Sequence, residues 1–306
     1  MADQLAKIYK RIEVTCPARS ADIVTMACHE MGTLGIEENV APKRRVRIVA
    51  YFDRGTNVAQ LKKKIERITP GYTQIEFAIL EEPRGLDTWL EEFNRRQVPV
   101  EIGSRFLVSP VESVRSEARI VLVVPAERAF GTGTHVTTRQ CMEAIETLVR
   151  PGHTVLDLGT GTGILAMAAA RLGASRVDAV DRDQEAVEIA RGNVARNELG
   201  RTVRVIHGDI TAAPHPPYDL IAANLLADAI VGLVPDMVAI LRRSGSLVLS
   251  GILKGPQATR VVRSLQQNGI WQISRVREGE WVTLVGDRRN PSATRSPRDI
   301  PRDPNH

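Results

Sequence analysis

From Pro151 onward the chain alternates short β-rich runs with helical patterns, and this alternation restricts the fold more than any other feature. The β-rich runs cover 154–158, 176–180, 203–207, 219–223 and 246–250, and the helical patterns cover 164–172, 184–197, 227–241 and 257–267. A strand followed by a helix and another strand of the same sheet gives parallel neighbours joined by a right-handed crossover. The ending differs. Residues 271–276 and 281–285 alternate around Glu278-Gly279, which predicts an antiparallel hairpin. The expected architecture is therefore α/β, a doubly wound, mostly parallel seven-stranded sheet with an antiparallel last strand.

The first eighty residues read as β-α-β-β-α-β, the order of a small α+β ferredoxin-like domain. Residues 8–15 alternate as a strand, and 20–31 place Ile23, Val24, Ala27, Cys28 and Met31 on one helical face. Val46 to Phe52 is β-rich, Val58, Leu61, Ile65 and Ile68 recur at helical spacing, and Pro70-Gly71 closes that helix before a strand at 72–80. The expected division is a docking domain at 1–80, a connector at 81–128, a catalytic domain at 129–287 and a disordered tail at 288–306. The connector is expected to hold a short helix around 89–93 and strands at 105–109 and 119–124.

Composition narrows the function. Aromatic residues make up only 4% of the chain, which argues against stacking on single-stranded bases. The net charge of +5 is uneven: Lys and Arg outnumber Asp and Glu 13 to 9 in residues 1–80 and 5 to 2 in 288–306, while 81–287 carry 23 against 25. A near-neutral catalytic half does not suit a nucleic-acid groove. Cys16, Cys28 and Cys141 are widely spaced with no C-x-x-C, so buried reduced thiols are expected rather than a metal site or disulfides. The apolar runs are too short to span a bilayer, and the first ten residues lack a signal core, so a cytoplasmic protein is expected.

The chemistry centres on Asp157-Leu158-Gly159-Thr160-Gly161-Thr162-Gly163, between a strand and an Ala-rich helix. Gly159, Gly161 and Gly163 let the backbone approach a ligand, and the following helix offers free N–H groups. The G-x-G-x-G spacing differs from the G-x-G-x-x-G of dinucleotide dehydrogenases. Asp157 precedes the first glycine, Asp181 ends the next strand where a carboxylate can accept both ribose hydroxyls, and Asp209 follows the third strand in place to meet an adenine edge. Any one of these acids alone reads equally as a solvated strand end or a cap. Together they point to an S-adenosylmethionine site. Asn224 ends the fourth strand, where it can orient an incoming amine through its carbonyl or simply cap the next helix.

The most distinctive stretch, Ala129-Phe130-Gly131-Thr132-Gly133-Thr134-His135-Val136-Thr137-Thr138, runs into an amphipathic helix marked by Cys141, Ile145, Leu148 and Val149. One N-capping threonine would be ordinary. Four threonines with two glycines read as a lid carrying hydroxyl donors. His135 is open as a general base or as a structural histidine.

AFGTGTHVTT (129–138), VLDLGTGTGILAMAA (155–169), VDRD (180–183), DLIAANLLADAI (219–230), LSGIL (249–253) and GEWVTLVG (279–286) resemble the bacterial ribosomal protein L11 methyltransferase family. The resemblance spans most of 85–287; residues 1–80 agree in element order only. It implies a trimethylating protein methyltransferase acting on lysine or N-terminal amines, with ribosomal protein L11 held by residues 1–80; separately, a monomer without a metal or direct nucleic-acid contact is expected. It also implies that Thr138, Gly159, Asp181 and Asn224 contact the cofactor, with Asn224 at the reacting end. One departure is Val136, where the family usually has proline. The alternatives from the residues are a same-fold methyltransferase for another protein or a small molecule, a nicotinamide dehydrogenase, and a non-catalytic adaptor.

Overall fold

A computed structural model describes residues 9–288 apart from 34, 43, 54, 69–75, 83–97, 126–130, 132 and 134. The expected connector helix at 89–93, Thr132 and Thr134 of the loop, and residues 289–306 of the tail lie outside the described residues. Arg288, assigned by sequence to the disordered tail, is placed and anchored. Its backbone N–H donates to Gly245 O at 3.0 Å, and its guanidinium donates to Val238 O at 2.6 Å and to Leu241 O.

The N-terminal unit follows the expected order. Strand β1 (Tyr9–Pro17) leads through a 3-10 turn (Ala18–Ser20) to α1 (Ala21–Glu30), then β2 (Gly35–Ala41), β3 (Arg45–Asp53), α2 (Val58–Ile68) and β4 (Glu76–Glu82). The sheet order is β2-β3-β1-β4, antiparallel throughout. Strand β2 is the element whose place the sequence did not show. Its GIEENVA run is acid-rich, and as an edge strand with one partner it buries little that would mark it. Val24, Ala27 and Cys28 of α1 pack into the domain core as expected, but Ile23 does not. Ile23 joins Met26 on a second apolar face, because positions three apart share a helix side.

Strands β5 (Val100–Ile102), β6 (Phe106–Ser109) and β7 (Ile120–Val123) form a small separate sheet. Ile102, Phe106, Val108 and Leu122 share one core with the catalytic sheet, so the connector strands pack as part of that unit. Next come α3 (Val136–Leu148), β8 (Thr154–Leu158), α4 (Ile164–Arg171), β9 (Arg176–Asp181), α5 (Gln184–Arg196), β10 (Val203–His207), β11 (Tyr218–Asn224), α6 (Ala227–Ile240), β12 (Leu241–Leu253), α7 (Pro256–Gln267), β13 (Gln272–Glu278) and β14 (Trp281–Asp287).

The seven strands run in the order β10-β9-β8-β11-β12-β14-β13, parallel from β10 to β12 with β14 antiparallel between β12 and β13. Alternation assigns the faces. Val155, Leu220 and Ala222 point toward α3 and α4, while Leu156, Ile221 and Ala223 point toward α6 and α7. The strand order reverses at β8, which lies between β9 and β11. The crevice beyond the carboxyl ends of β8 and β11 is where such sheets bind ligands.

The N-terminal unit touches the catalytic unit through α1. Ile23 and Met26 pack against Val136, Trp281, Leu226 and Leu253. Val136 is thus the first residue of α3, a position that suits proline, and its side chain is spent on this contact. All three cysteines are buried. Burial pushes the Cys28 thiol up to about 12 and raises that of Cys141, which leaves neither as a nucleophile.

Candidate active site

The glycine loop turns sharply at the end of β8. Gly159 has φ +74°, a conformation that strains any other residue, and a Cβ there would lie 2.4 Å from Leu225 Cδ2, so a side chain would also displace the tip of Leu225. The Gly159 and Thr160 amides both donate to Val180 O, at 2.8 and 3.1 Å, tying the loop to β9. Gly161 contributes its amide to Asp181, and Gly163 is the N-cap of α4.

Asp157 lies beneath the loop with only 1% of its surface exposed. Its Oδ2 accepts from Thr160 Oγ1 at 2.6 Å and from the Ala166 amide at 3.1 Å, and its Oδ1 has no partner among the described residues. Burial pushes its carboxyl up to about 7, against the pull of the Thr160 and Ala166 bonds and with the nearby Asp181 charge adding to the rise. Asp181 ends β9 and accepts from the Gly161 amide at 2.9 Å on Oδ2 and from the Asp183 amide at 3.0 Å on Oδ1. Each carboxylate oxygen therefore keeps a lone pair for a ligand. Asp209, after β10, caps a 3-10 turn (Ile210–Ala212): its Oδ1 accepts from the Thr211 amide at 2.9 Å and the Thr211 hydroxyl at 2.5 Å. These bonds, and then Arg182 at 3.7 Å from Oδ2, hold its carboxyl below the usual range. Pairing of Asp181 with His207 across β9 and β10 places the second and third acids at neighbouring strand ends.

Asn224 closes β11. It does not cap α6, whose N-cap is Leu226 with no side-chain bond. Its Nδ2 instead donates to Thr137 Oγ1 at 3.2 Å and Thr138 Oγ1 at 3.4 Å, at the first turn of α3. Asn224 Oδ1 is buried and has no partner among the described residues. The N-cap of α3 is His135 rather than a threonine: His135 Nδ1 accepts from the Thr137 amide at 3.3 Å and lies 2.7 Å from Thr137 Oγ1. The imidazole packs edge-on against Trp281, with ring centroids 5.3 Å apart. Gly131 of the lid accepts from Thr162 Oγ1 at 2.6 Å, which docks the described part of the lid on the glycine loop.

Gly251 and Gln140 were not singled out by the sequence. Gly251 has φ +81°, and a Cβ there would lie 2.4 Å from Leu225 O; the β12–β14 register shifts at this point. Leu225 is thereby held between Gly159 and Gly251, which sets the position of Asn224. A lone glycine inside a β-rich run, as in LSGIL, was the available signal. Gln140 is buried with its carbonyl accepting from Thr283 Oγ1 at 2.7 Å, and Thr283 also bonds Ser250 at 2.6 Å. Gln140 Nε2 and Trp281 Nε1 are buried without acceptors among the described residues. Nothing local distinguishes Gln140 from any other helical glutamine.

No group of three or more His, Cys, Asp or Glu among the described residues could hold a metal ion, and no described helix is long and apolar enough to cross a membrane.

The chain is similar to known proteins over most of its length. The chain is 40% identical over 201 residues to a ribosomal protein L11 methyltransferase of Desulforamulus reducens, covering 65% of each chain. A ribosomal protein L11 methyltransferase of Pelotomaculum thermopropionicum is 34% identical over 286 residues, covering 92% of this chain and 87% of that one. The crystal structure of a ribosomal protein L11 methylase from Lactobacillus delbrueckii subsp. bulgaricus superposes with a TM-score of 0.57 at 30% identity, covering 63% of this chain and 99% of that chain. Residues 7–289 match the family described as ribosomal protein L11 methyltransferase (PrmA), and the chain belongs to that family.

Proposed function

We propose that this chain transfers methyl groups from S-adenosylmethionine to lysine or N-terminal amines of ribosomal protein L11, held by residues 1–80, and that it works as a monomer in the cytoplasm. The observation that carries the reading is Asn224 Oδ1, a buried acceptor with no partner among the described residues, beside a loop that turns through Gly159 at φ +74°. A buried carbonyl without a partner costs about 1–3 kcal/mol, which a ligand donor would relieve.

The residues suit the cofactor. Asp181 would take the ribose hydroxyls with the lone pairs left by its two amide bonds, and Asp209 would meet the adenine edge through Oδ2. Gly159, Gly161 and Gly163 would bring main chain against the nucleoside, with Asp157 bracing them from below through Thr160 and Ala166. The Thr138 hydroxyl would face the methionine end. Once bound, the cofactor supplies an electrophilic methyl group on a sulfonium.

The acceptor must be neutral to attack, and a lysine amine has a pKa of about 10.4 in water. Desolvation of the amine as it enters the site would disfavour the ammonium form and exclude water. Asn224 Oδ1 then accepts one amine N–H and leaves the lone pair facing the methyl. Alignment of this kind can supply roughly 7–11 kcal/mol, so no catalytic triad is required. His135 is not the base through Nδ1, since that nitrogen already accepts from Thr137.

The test is mass spectrometry of total ribosomal proteins incubated with the enzyme and labelled S-adenosylmethionine. Label on L11 is the expected outcome. Label confined to another protein would overturn the substrate while sparing the reaction.

A further inference from the structure

We propose that His135 and Thr137 are positioning residues that fix which way the Asn224 amide stands, so that its carbonyl, and not its NH2, meets the acceptor amine. The inference rests on the assignment of Asn224 to the acceptor and follows from counting hydrogens along one chain of contacts.

The Thr137 backbone N–H donates to His135 Nδ1 at 3.3 Å. A ring nitrogen that accepts an N–H bears no proton, so His135 carries its proton on Nε2. The Thr137 hydroxyl lies 2.7 Å from the same bare nitrogen, and at that separation it must be the donor. Its one hydrogen is then spent. Toward Asn224, 3.2 Å away, Thr137 Oγ1 can only accept, and the group it meets must be the Asn224 NH2. Thr138 Oγ1 takes the same NH2 at 3.4 Å. The amide oxygen is left pointing elsewhere, which agrees with Asn224 Oδ1 being buried and unpaired.

The opposite orientation would matter chemically. With Oδ1 turned to the two threonines, the NH2 would face the acceptor and compete with the amine's own hydrogens instead of accepting one. A free threonine hydroxyl is indifferent between the two orientations, because it can donate or accept. The helix cap removes that freedom. His135 is in turn held by the edge of Trp281, so the relay begins at the contact where α1 meets the catalytic unit.

Two measurements test the relay. Nitrogen-15 NMR of histidine reads the His135 tautomer without any substrate. A proton on Nε2 with bare Nδ1 is expected, and a proton on Nδ1 overturns the inference whatever the enzyme methylates. The second is a double-mutant cycle on methyl transfer. Thr137→Val should lower kcat by about 10- to 100-fold while S-adenosylmethionine affinity by calorimetry changes less than about twofold. Thr137→Ser, which keeps the hydroxyl, should recover most of that loss. In an Asn224→Ala background, Thr137→Val should cost less than about threefold more. Losses that multiply in the double variant, or equal losses for Ser and Val, overturn the proposal. A wild-type enzyme that labels a different protein overturns the substrate reading alone, because the cycle can be run on that protein.

Discussion

Asp157 has a role that its charge obstructs. The carboxylate ties the glycine loop to α4, yet it is buried, and one oxygen has no partner. In the unfolded chain it titrates near 3.8, and in the fold near 7. Between those values the folded protein binds a proton that the unfolded chain has released, so stability falls as pH rises through that window and levels off above it. Asp157→Asn keeps an oxygen for Thr160 and Ala166 and removes the titration. Urea unfolding of both proteins without cofactor should show the variant gaining about 2–3 kcal/mol on wild type between pH 5 and pH 8. Parallel pH profiles would show that the loop opens enough to hydrate the acid.

At the scale of elements, the site depends on how β11 and β12 end. Leu225 runs between the loop after β8 and the irregular stretch of β12; a Cβ at Gly251 would strike its backbone, and one at Gly159 would strike its side chain. Gly251→Ala would place a methyl carbon 2.4 Å from Leu225 O at φ +81°, where an L-residue is already strained. The variant should lose about 2 kcal/mol or more in stability and at least about tenfold in kcat, because Asn224 moves with Leu225. Cofactor affinity by calorimetry should change less, since Asp181 lies on the far side of β8. A variant that keeps full turnover would separate the position of Asn224 from the β12 irregularity.

For the whole molecule, one side of α1 makes an apolar contact between the two units among the described residues. Ile23 and Met26 lie outside the N-terminal core cluster, so alanine at both positions leaves that sandwich its packing while loosening its seat on Val136 and Trp281. The Trp281 indole N–H is buried without an acceptor in this arrangement. In the double variant it should exchange with solvent at least about tenfold faster, read as a single side-chain signal by NMR. Unchanged exchange would mean that the catalytic unit buries Trp281 unaided.

What the sequence determined by itself is local. The alternation of five strands with four helices, the hairpin at the end, the glycine loop and the acids at strand ends are set by periodicity and turn chemistry within a few residues, and the observed strands 154–158 and 203–207 coincide with their expected spans. The edge strand β2 escaped because its run buries too little to carry a pattern, and Ile23 was assigned to the wrong face because a helix with two apolar sides has no single stripe. The tertiary structure alone decided that Asn224 meets Thr137, 87 residues away, and that Leu225 passes over Gly251. It also decided that His135 caps the helix and sets the hydrogens between them. Such pairings follow from strand order and close packing, and neither is written in the spacing of residues along the chain.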